Sequence, residues 1–447
     1  MSAVRTKILE THTKTIYAPA TGHGLGAISI VRISGPHTVH ILDCMLDRPL
    51  RPRFASLRTI RHPDDGFVID KALVLFFPGP NSFTGEDSAE FHLHGGIAVT
   101  RSCLSALSAI ANTRLAEPGE FTLRAYENGK MNLLQAEGLA DLIDSRTERQ
   151  KQQALRFLEG DLGVKVQEWR VAILNALVVL EAEIDFSDED DVPDFVSQQV
   201  ASLLDTVIKD LQSVLQHRRS GEQIRDGYKV VLAGPPNAGK STLLNALAKR
   251  DVAIVSSIPG TTRDTIEVSL DLAGYPVVIT DTAGLRETSD TVEAEGIRRT
   301  LLKGTQADLI LWLTDAGQNI EPDVSFTATR WIVRTKADLY PHAKVDSDQF
   351  LLSLNDAADI QKLVEKLTDH IASNGQDDSI FIARERHVIN LSLALEHLRS
   401  VQNNQHQQIE FMAEDCRLAL LALDKLIGTV TPDEILGSIF STFCIGK

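Results

Sequence analysis

A chain of 447 residues is long enough for several domains, each with its own core, and its 43% hydrophobic content is ordinary for a globular protein. With 45 Lys and Arg against 61 Asp and Glu, the net charge of -16 excludes a protein that wraps nucleic acid with its whole surface; a local basic patch or a basic partner remains open. No apolar run reaches 18 residues, the N-terminus lacks an apolar signal core, and the 4 cysteines make no Cys-x-x-Cys pair, so a cytoplasmic protein without membrane span, secretion signal or zinc-finger spacing is expected.

Residues 1–128 alternate short apolar runs with Gly and Pro turns ("GAISIVRISG", "KALVLFFPGPNSFTG", "FHLHGG"), the pattern of an α+β domain. Residues 129–226 switch to helical spacing. Val200, Leu203, Leu204, Val207, Ile208, Leu211, Val214 and Leu215 share one helix face, and Trp169, Ile173, Leu177, Leu180 and Ile184 make a second stripe; both predict a helical bundle core. The acidic link "DFSDEDDVPDF" between them reads as a solvated loop. Strands return over 227–382, and helices resume over 383–447, where Thr431, Pro432 and Glu434 form a helix-start signature. A strand-rich module is thus inserted into a helical domain, and its two ends are expected to lie close together. Cys44, Cys103 and Cys416 sit among aliphatic residues and are expected to be buried. Cys444, in the closing "STFCIGK", is the exception.

Within the inserted module, "YKVVLAGPPNAGKSTLLNAL" reads as strand, loop, helix. Gly234, Gly239, Lys240 and Ser241 fit G-x-x-x-x-G-K-[ST], in which backbone N–H groups cradle phosphates, the lysine meets the outer phosphates and the serine ligates Mg²⁺. Asn237, Ala238 and Thr242 complete that loop. "SSIPGTTRD" supplies Ser256, Ser257, Ile258, Pro259, Gly260, Thr261 and Thr262, the last as a second Mg²⁺ ligand. "VVITDTAGL" ends a strand at Asp281, followed by Thr282, Ala283 and Gly284; a carboxylate there holds Mg²⁺ through water, and the glycine senses the terminal phosphate. "RWIVRTKAD" ends a strand before Lys336 and Asp338, and an Asp accepting two hydrogen bonds from guanine selects GTP over ATP; Ser353 opens the last base-contacting loop. Familiar GTPases carry Asn where Thr335 stands, so a weaker buttress for the guanine loop is expected. Leu285 stands where Ras-like enzymes place a water-orienting Gln, leaving Arg286, Glu287, Glu293 and Glu295 as candidates for that task. No arginine finger is visible; Asn237 is placed to help hold a monovalent cation instead.

Taken together, "GPPNAGKST", "IPGTTRD", "DTAGLRE", "NSFTGEDSAEFHLHGG", "EPGEFTLRAYENGK" and the terminal "FCIGK" resemble the MnmE (TrmE) family of tRNA modification GTPases over nearly the whole chain. The resemblance implies an N-terminal folate-binding and dimerising α+β domain, a helical domain and an inserted Ras-like P-loop GTPase domain. It implies a homodimer working with the flavin-dependent protein MnmG on the wobble uridine of certain tRNAs, with GTP, Mg²⁺, K⁺ and a 5-formyl or 5,10-methylene tetrahydrofolate as cofactors. By that resemblance Ser241 and Thr262 hold Mg²⁺; Asn237, Ser256, Ile258 and Thr261 hold K⁺; Glu293 orients the attacking water; Arg32, Glu90, Lys130 and Lys447 contact folate; and Cys444 is catalytic. The rival reading is an Era-like GTPase switch on ribosomal RNA. Such a switch shares "PNAGKS" and "GTTRD" but has no use for the N-terminal domain or the cysteine tail.

Overall fold

The computed structural model describes residues 13–22, 24–185, 193–250, 252–254, 267–281, 307–317, 328–340, 349–374, 382–403, 409–430 and 433–446. The chain forms two compact units, Met1–Ala140 with Asp424–Lys447, and Asp141–Leu423.

The first unit is built on a six-stranded sheet of β1 (Thr15–Pro19), β2 (Ile28–Ser34), β3 (Ser56–Arg61), β4 (Val68–Phe77), β5 (Ser88–His94) and β6 (Thr113–Leu115), in the order β3-β4-β5-β2-β1-β6. Side chains alternate faces along a strand. On β5, Ala89, Phe91 and Leu93 therefore point into a core with Val31, Ile33 and Val74, capped by Ile41, Met45, Cys103 and Leu107 from the helices Thr38–Met45 and Ile97–Ala109. Glu90 and His92 face the other way. That second face is covered in part by the helix Glu120–Glu127, whose Phe121 packs on Ile16 and Ala18 of β1. Cross-strand pairing puts Leu73 beside His92 and Leu57 beside Leu73 on this same face, and both leucines are exposed.

The C-terminal segment is seated on this unit. Phe440 and Phe443, on and just after the helix Asp433–Ser441, are buried with Leu133 and Ala136; their ring centroids lie 5.5 Å apart, and Tyr126 stands 6.2 Å from Phe440. Burying each ring contributes about 1.5–3 kcal/mol. Two glycines allow the close approach. Gly119 has φ +69°, and a Cβ there would collide with the Phe440 carbonyl; Gly446 has φ +96° and lies against the Pro19 carbonyl of β1. Gly119 N–H also donates to the Cys444 carbonyl at 3.5 Å.

In the second unit the helix Asp161–Asp185 packs on Pro193–Gln216, which packs on Glu385–Asn403. Trp169, Ile173, Leu180, Val200, Leu204, Val207, Ile208, Leu211 and Val214 are buried as their spacing predicts, while Leu177, Ile184, Leu203 and Leu215 are half-buried at the stripe edges. The acidic link over 186–192 and the start signature at Thr431 and Pro432 lie outside the described residues.

The strand-rich module holds β7 (Tyr228–Ala233), β8 (Ala253–Ile254), β9 (Glu267–Leu272), β10 (Tyr275–Asp281), β11 (Leu309–Asp315), β12 (Thr329–Thr335) and β13 (Gln349–Leu351), in the order β13-β12-β11-β7-β10-β9-β8. The strands from β13 to β10 run parallel; β9 is antiparallel to β10, and β8 is antiparallel to β9. Central strands covered on both faces read as continuous apolar runs, as "VVLA" and "LILWL" do. Leu243, Leu247, Leu363 and Leu367 from the helices Lys240–Ala248 and Ala357–Asn374 complete that core. No helix among the described residues is long and apolar enough to cross a membrane.

One expectation is corrected. Cys103 and Cys416 are buried, and burial pushes their thiols up to about 12. Cys44 is exposed instead, its Sγ 3.6 Å from His40 Nε2. The reason is helical phase: Thr38, Ile41, Leu42 and Met45 take the inward face of its helix, and Cys44 falls outside it.

The seating of the tail gives a first prediction. Gly119→Ala, which meets both backbone strain and the Phe440 carbonyl, is expected to lower stability by about 2 kcal/mol. Gly129→Ala, at φ +66° with open space around it, is expected to cost only about 1 kcal/mol. Equal losses in denaturant unfolding would show that the approach at Phe440 contributes nothing.

Candidate functional site

In open α/β sheets ligands bind where parallel strands end. Here β7 ends at the loop 234–239, β10 at Asp281, β11 at Asp315 and β12 at Thr335, all on one edge. The loop turns through Asn237 at φ +61° and Gly239 at φ +93° into the N-terminus of the helix Lys240–Ala248, where unpaired N–H groups favour an anion. Lys240 Nζ spans the loop, donating to the carbonyls of Gly234 at 2.8 Å and Pro235 at 2.9 Å. Burial lowers the Lys240 pKa, and the nearby Asp281 carboxylate opposes that shift. Ser241 Oγ donates to Asp281 Oδ2 at 2.7 Å. The two residues expected to serve Mg²⁺, 40 positions apart in sequence, are therefore neighbours.

The base-recognition residues also converge. Ser353 Oγ donates to Asp338 Oδ1 at 3.1 Å, and Ser353 N–H is held by Asp359 at 3.0 Å. Lys336, in the left-handed region at φ +59°, reaches Asp315 Oδ2 at 2.8 Å. That hydrogen bond holds the Asp315 carboxyl below its ordinary pKa and raises the Lys336 ammonium above its own. Sequence reasoning missed Asp315; the available signal was an apolar strand, "LILWLTD", ending in a carboxylate on the ligand-bearing edge. The fully buried Thr335 donates its hydroxyl to the Ala238 carbonyl at 2.8 Å, with the Thr314 carbonyl at 3.3 Å. This is the position where a weaker buttress for the guanine loop is expected. A hydroxyl, rather than an amide, ties the guanine loop to the phosphate loop.

In the first unit Arg32 and Glu90 are paired at 3.1 Å across β2 and β5, and His92 Nε2 lies 3.3 Å from the other Glu90 oxygen. The Arg32 guanidinium stands 5.4 Å from the Phe83 ring centroid and 5.9 Å from that of Phe121. Lys130 Nζ donates to the Pro80 carbonyl at 2.9 Å, and its stem lies against Gly85. Cys444 is exposed, and Gly119, which holds its carbonyl, precedes the helix that carries Phe121. Gly446 lies on Pro19, one residue from the Ala18 that pairs with Arg32.

Two family models match this chain: the GTP-binding protein TrmE N-terminus over residues 15–130 and the MnmE helical domain over residues 133–444. The chain belongs to the MnmE family of tRNA modification GTPases. A tRNA modification GTPase MnmE from Beijerinckia indica is 48% identical over 437 residues, covering 97% of this chain and 96% of that protein. The MnmE of Phenylobacterium zucineum is 44% identical over 447 residues, covering 97% and 99%, and that of Caulobacter vibrioides 44% over 452 residues, covering 97% and 100%. A solved structure of Era from Aquifex aeolicus is 21% identical, covers 38% of this chain and 66% of that one, and has a TM-score of 0.25, too slight a likeness to carry an argument. The TrmE N-terminal match falls on the segment that the Era-like reading does not require.

Of the residues that the MnmE resemblance singles out, Ser256, Ser257, Ile258, Pro259, Gly260, Thr261, Thr262, Thr282, Ala283, Gly284, Glu293 and Lys447 lie outside the described residues. The structure brings Lys240, Ser241 and Asp281 together, joins Thr335 to Ala238 and Ser353 to Asp338, and pairs Arg32 with Glu90 in the other unit.

The Thr335 link yields a second prediction. Thr335→Val keeps the shape but leaves the Ala238 carbonyl without that donor, a loss of about 1 kcal/mol. Affinity for a fluorescent GDP is expected to fall about fivefold. Turnover at saturating GTP should hold at the wild-type value. Unchanged affinity would mean that the hydroxyl is spectator packing.

Proposed function

We propose that this chain hydrolyses GTP and, with a flavin-dependent partner of the MnmG kind, modifies the 5 position of the wobble uridine in certain tRNAs. The products are aminomethyl or carboxymethylaminomethyl uridines. The observation that carries the tRNA half of this reading is the seating of the cysteine-bearing tail against the end of β1, the strand that pairs with the β2 strand of Arg32, an arrangement a simple nucleotide switch does not need. The domain division proposed is 1–128 for folate binding and dimerisation, 129–226 and 383–447 for the helical domain, and 227–382 for the GTPase. The exposed Leu57 and Leu73, on the face that holds Glu90, support a homodimer formed through that sheet. A cytoplasmic location and tRNA contacts shared with a basic partner fit the acidic charge.

In the proposed mechanism Lys240 and the loop N–H groups would hold the β- and γ-phosphates, and Ser241, Thr262 and Asp281 would hold Mg²⁺, which would supply charge stabilisation there. Asp338 selects guanine, and Ser353 holds that carboxylate in place. Asn237, Ser256, Ile258 and Thr261 would hold K⁺, which would supply positive charge against that developing at the phosphates. Glu293 orients the attacking water in place of the Gln that Leu285 replaces. In the other unit Arg32, Glu90, Lys130 and Lys447 would hold a tetrahydrofolate, which would supply the one-carbon group, and Cys444 would act on it.

Two outcomes test this reading. GTP turnover in KCl should exceed that in matched NaCl by about tenfold or more, because the smaller ion draws the same ligands in only with strain; equal rates would remove K⁺ from the mechanism. Cys444→Ser should abolish wobble-uridine modification, read by mass spectrometry of tRNA nucleosides with the flavin partner supplied, while phosphate release stays within about twofold of wild type. Serine keeps the size but ionises far less readily than a thiol. Modification at the wild-type rate would reduce the cysteine to packing. Intact wobble uridines together with immature ribosomes in a strain lacking the protein would favour the Era-like reading.

A further inference from the structure

Arginines concentrate at one place in this acidic chain. The stretch "RPLRPRFASLRTIR" over 48–61 holds five arginines and no Asp or Glu, against a net charge of -16 for the whole chain. It runs from the loop after the helix Thr38–Met45 through β3, the edge strand of the six-stranded sheet. Residues 47–49 and 51–55 are exposed, while Leu50 between them packs against the core. Two backbone bonds tie the loop down. The Arg53 N–H donates to the Phe76 carbonyl of β4 at 2.8 Å, and the Phe54 N–H to the Arg51 carbonyl at 3.2 Å.

The positive charge there is not cancelled. Arg48, 74% exposed, stands 3.9 Å from its neighbour Asp47, too far for a hydrogen bond. Among the described residues, the other four arginines have no carboxylate within ion-pair distance. Arg58 donates to the carbonyls of Pro49 at 2.9 Å, Leu57 at 2.9 Å and Arg48 at 3.3 Å; Arg61 donates to that of Gly66 at 3.0 Å, and Arg53 to that of Asn81. A carbonyl orients a guanidinium and leaves its net charge in place. Arg51 is held by a ring instead: its guanidinium carbon lies 3.7 Å from the Phe54 ring centroid, and Phe54 is itself 50% exposed. At about 0.15 M salt, exposed charges more than about 8 Å apart are largely screened, so the acidic total does not offset this local cluster.

We propose that Arg48, Arg51, Phe54 and Arg58 form an RNA-docking rim at the sheet edge, which takes backbone phosphates and one unstacked base of a tRNA loop. The guanidinium groups supply the planar donors that phosphate prefers. The Arg51–Phe54 pair supplies a flat, half-exposed platform on which a splayed base stacks. An acidic protein partner would meet the same charges but has no use for the platform. Arg58 and Leu57 point to opposite faces of β3, so Arg58 and the backbone of Arg48 and Pro49 that it holds lie away from the Leu57–Leu73 face. The proposal rests on the reading that this chain serves tRNA, and it names the surface that meets the RNA.

The test is binding of a fluorescent anticodon stem-loop RNA, with uridine at the wobble position, to the full chain over a series of NaCl concentrations. Log affinity of the wild type is expected to fall linearly with log salt. Arg48→Gln with Arg51→Gln should bind about tenfold less tightly at about 0.1 M salt, with a slope smaller by about 1.5–2. Arg48→Lys with Arg51→Lys keeps the charge and should restore the slope. Phe54→Ala should lose about five- to tenfold in affinity with the slope unchanged. These side chains are exposed and lie in the unit that lacks the nucleotide site, so urea unfolding midpoints and phosphate release should match the wild type. The proposal is overturned if the wild type does not bind the hairpin, or if the double Gln variant keeps wild-type affinity and slope. It is also overturned if polyglutamate at equal charge displaces the RNA as well as unlabelled hairpin does, the mark of a surface for acidic protein. Hairpin binding that the double Gln variant loses, in a protein that modifies no wobble uridine, keeps the rim and removes the function proposed above; modification by the wild type with equal hairpin binding in every variant does the reverse.

Discussion

Five neighbouring parallel strands impose the geometry on which the nucleotide site depends. Parallel strands all end on the same edge, so the loop after β7, Asp281 after β10, Asp315 after β11 and Thr335 after β12 meet without any further instruction. The apolar runs "VVLA", "VVIT" and "LILWL" build the sheet, and the polar residues at their ends need only the correct strand order to become neighbours. Changes inside the strands act on stability; changes at their ends act on ligand chemistry.

The opposite edge has a different task. There the sheet meets the helical part of the unit through ion pairs and backbone contacts at Asp141, Asp308 and Gly274. A polar attachment is directional, and its geometry is fixed by a few donors and acceptors. The module is thus chemically active at one edge and mechanically anchored at the other.

The first unit solves another problem, how to keep a chain end in place. Chain ends fray unless something ties them down. Here Phe440 and Phe443 supply the apolar anchor, while Gly119 and Gly446 permit backbone-to-backbone approach that any Cβ would prevent. The exposed Cys444 is consequently flanked by packed residues on either side.

Periodicity and motif spacing were enough to read the apolar strands β7, β10 and β12 and to place the 234–239 loop, Asp281 and Asp338 at or after their ends, because each depends on a local pattern of side chains. The inward stripe through Trp169, Ile173 and Leu180 was equally legible, since helical phase alone sets it. Cys44 was misread because its aliphatic neighbours in sequence occupy the other side of a short helix. The hydroxyl link from Thr335 to Ala238, the Lys336–Asp315 pair, and the convergence of Arg225 and Arg384 on Asp141 could not be read, because each joins residues from 21 to 243 positions apart. Such pairings carry no local signature. Strand order and helix placement decide them, and the same folding that buries the apolar runs brings these polar groups within hydrogen-bonding reach.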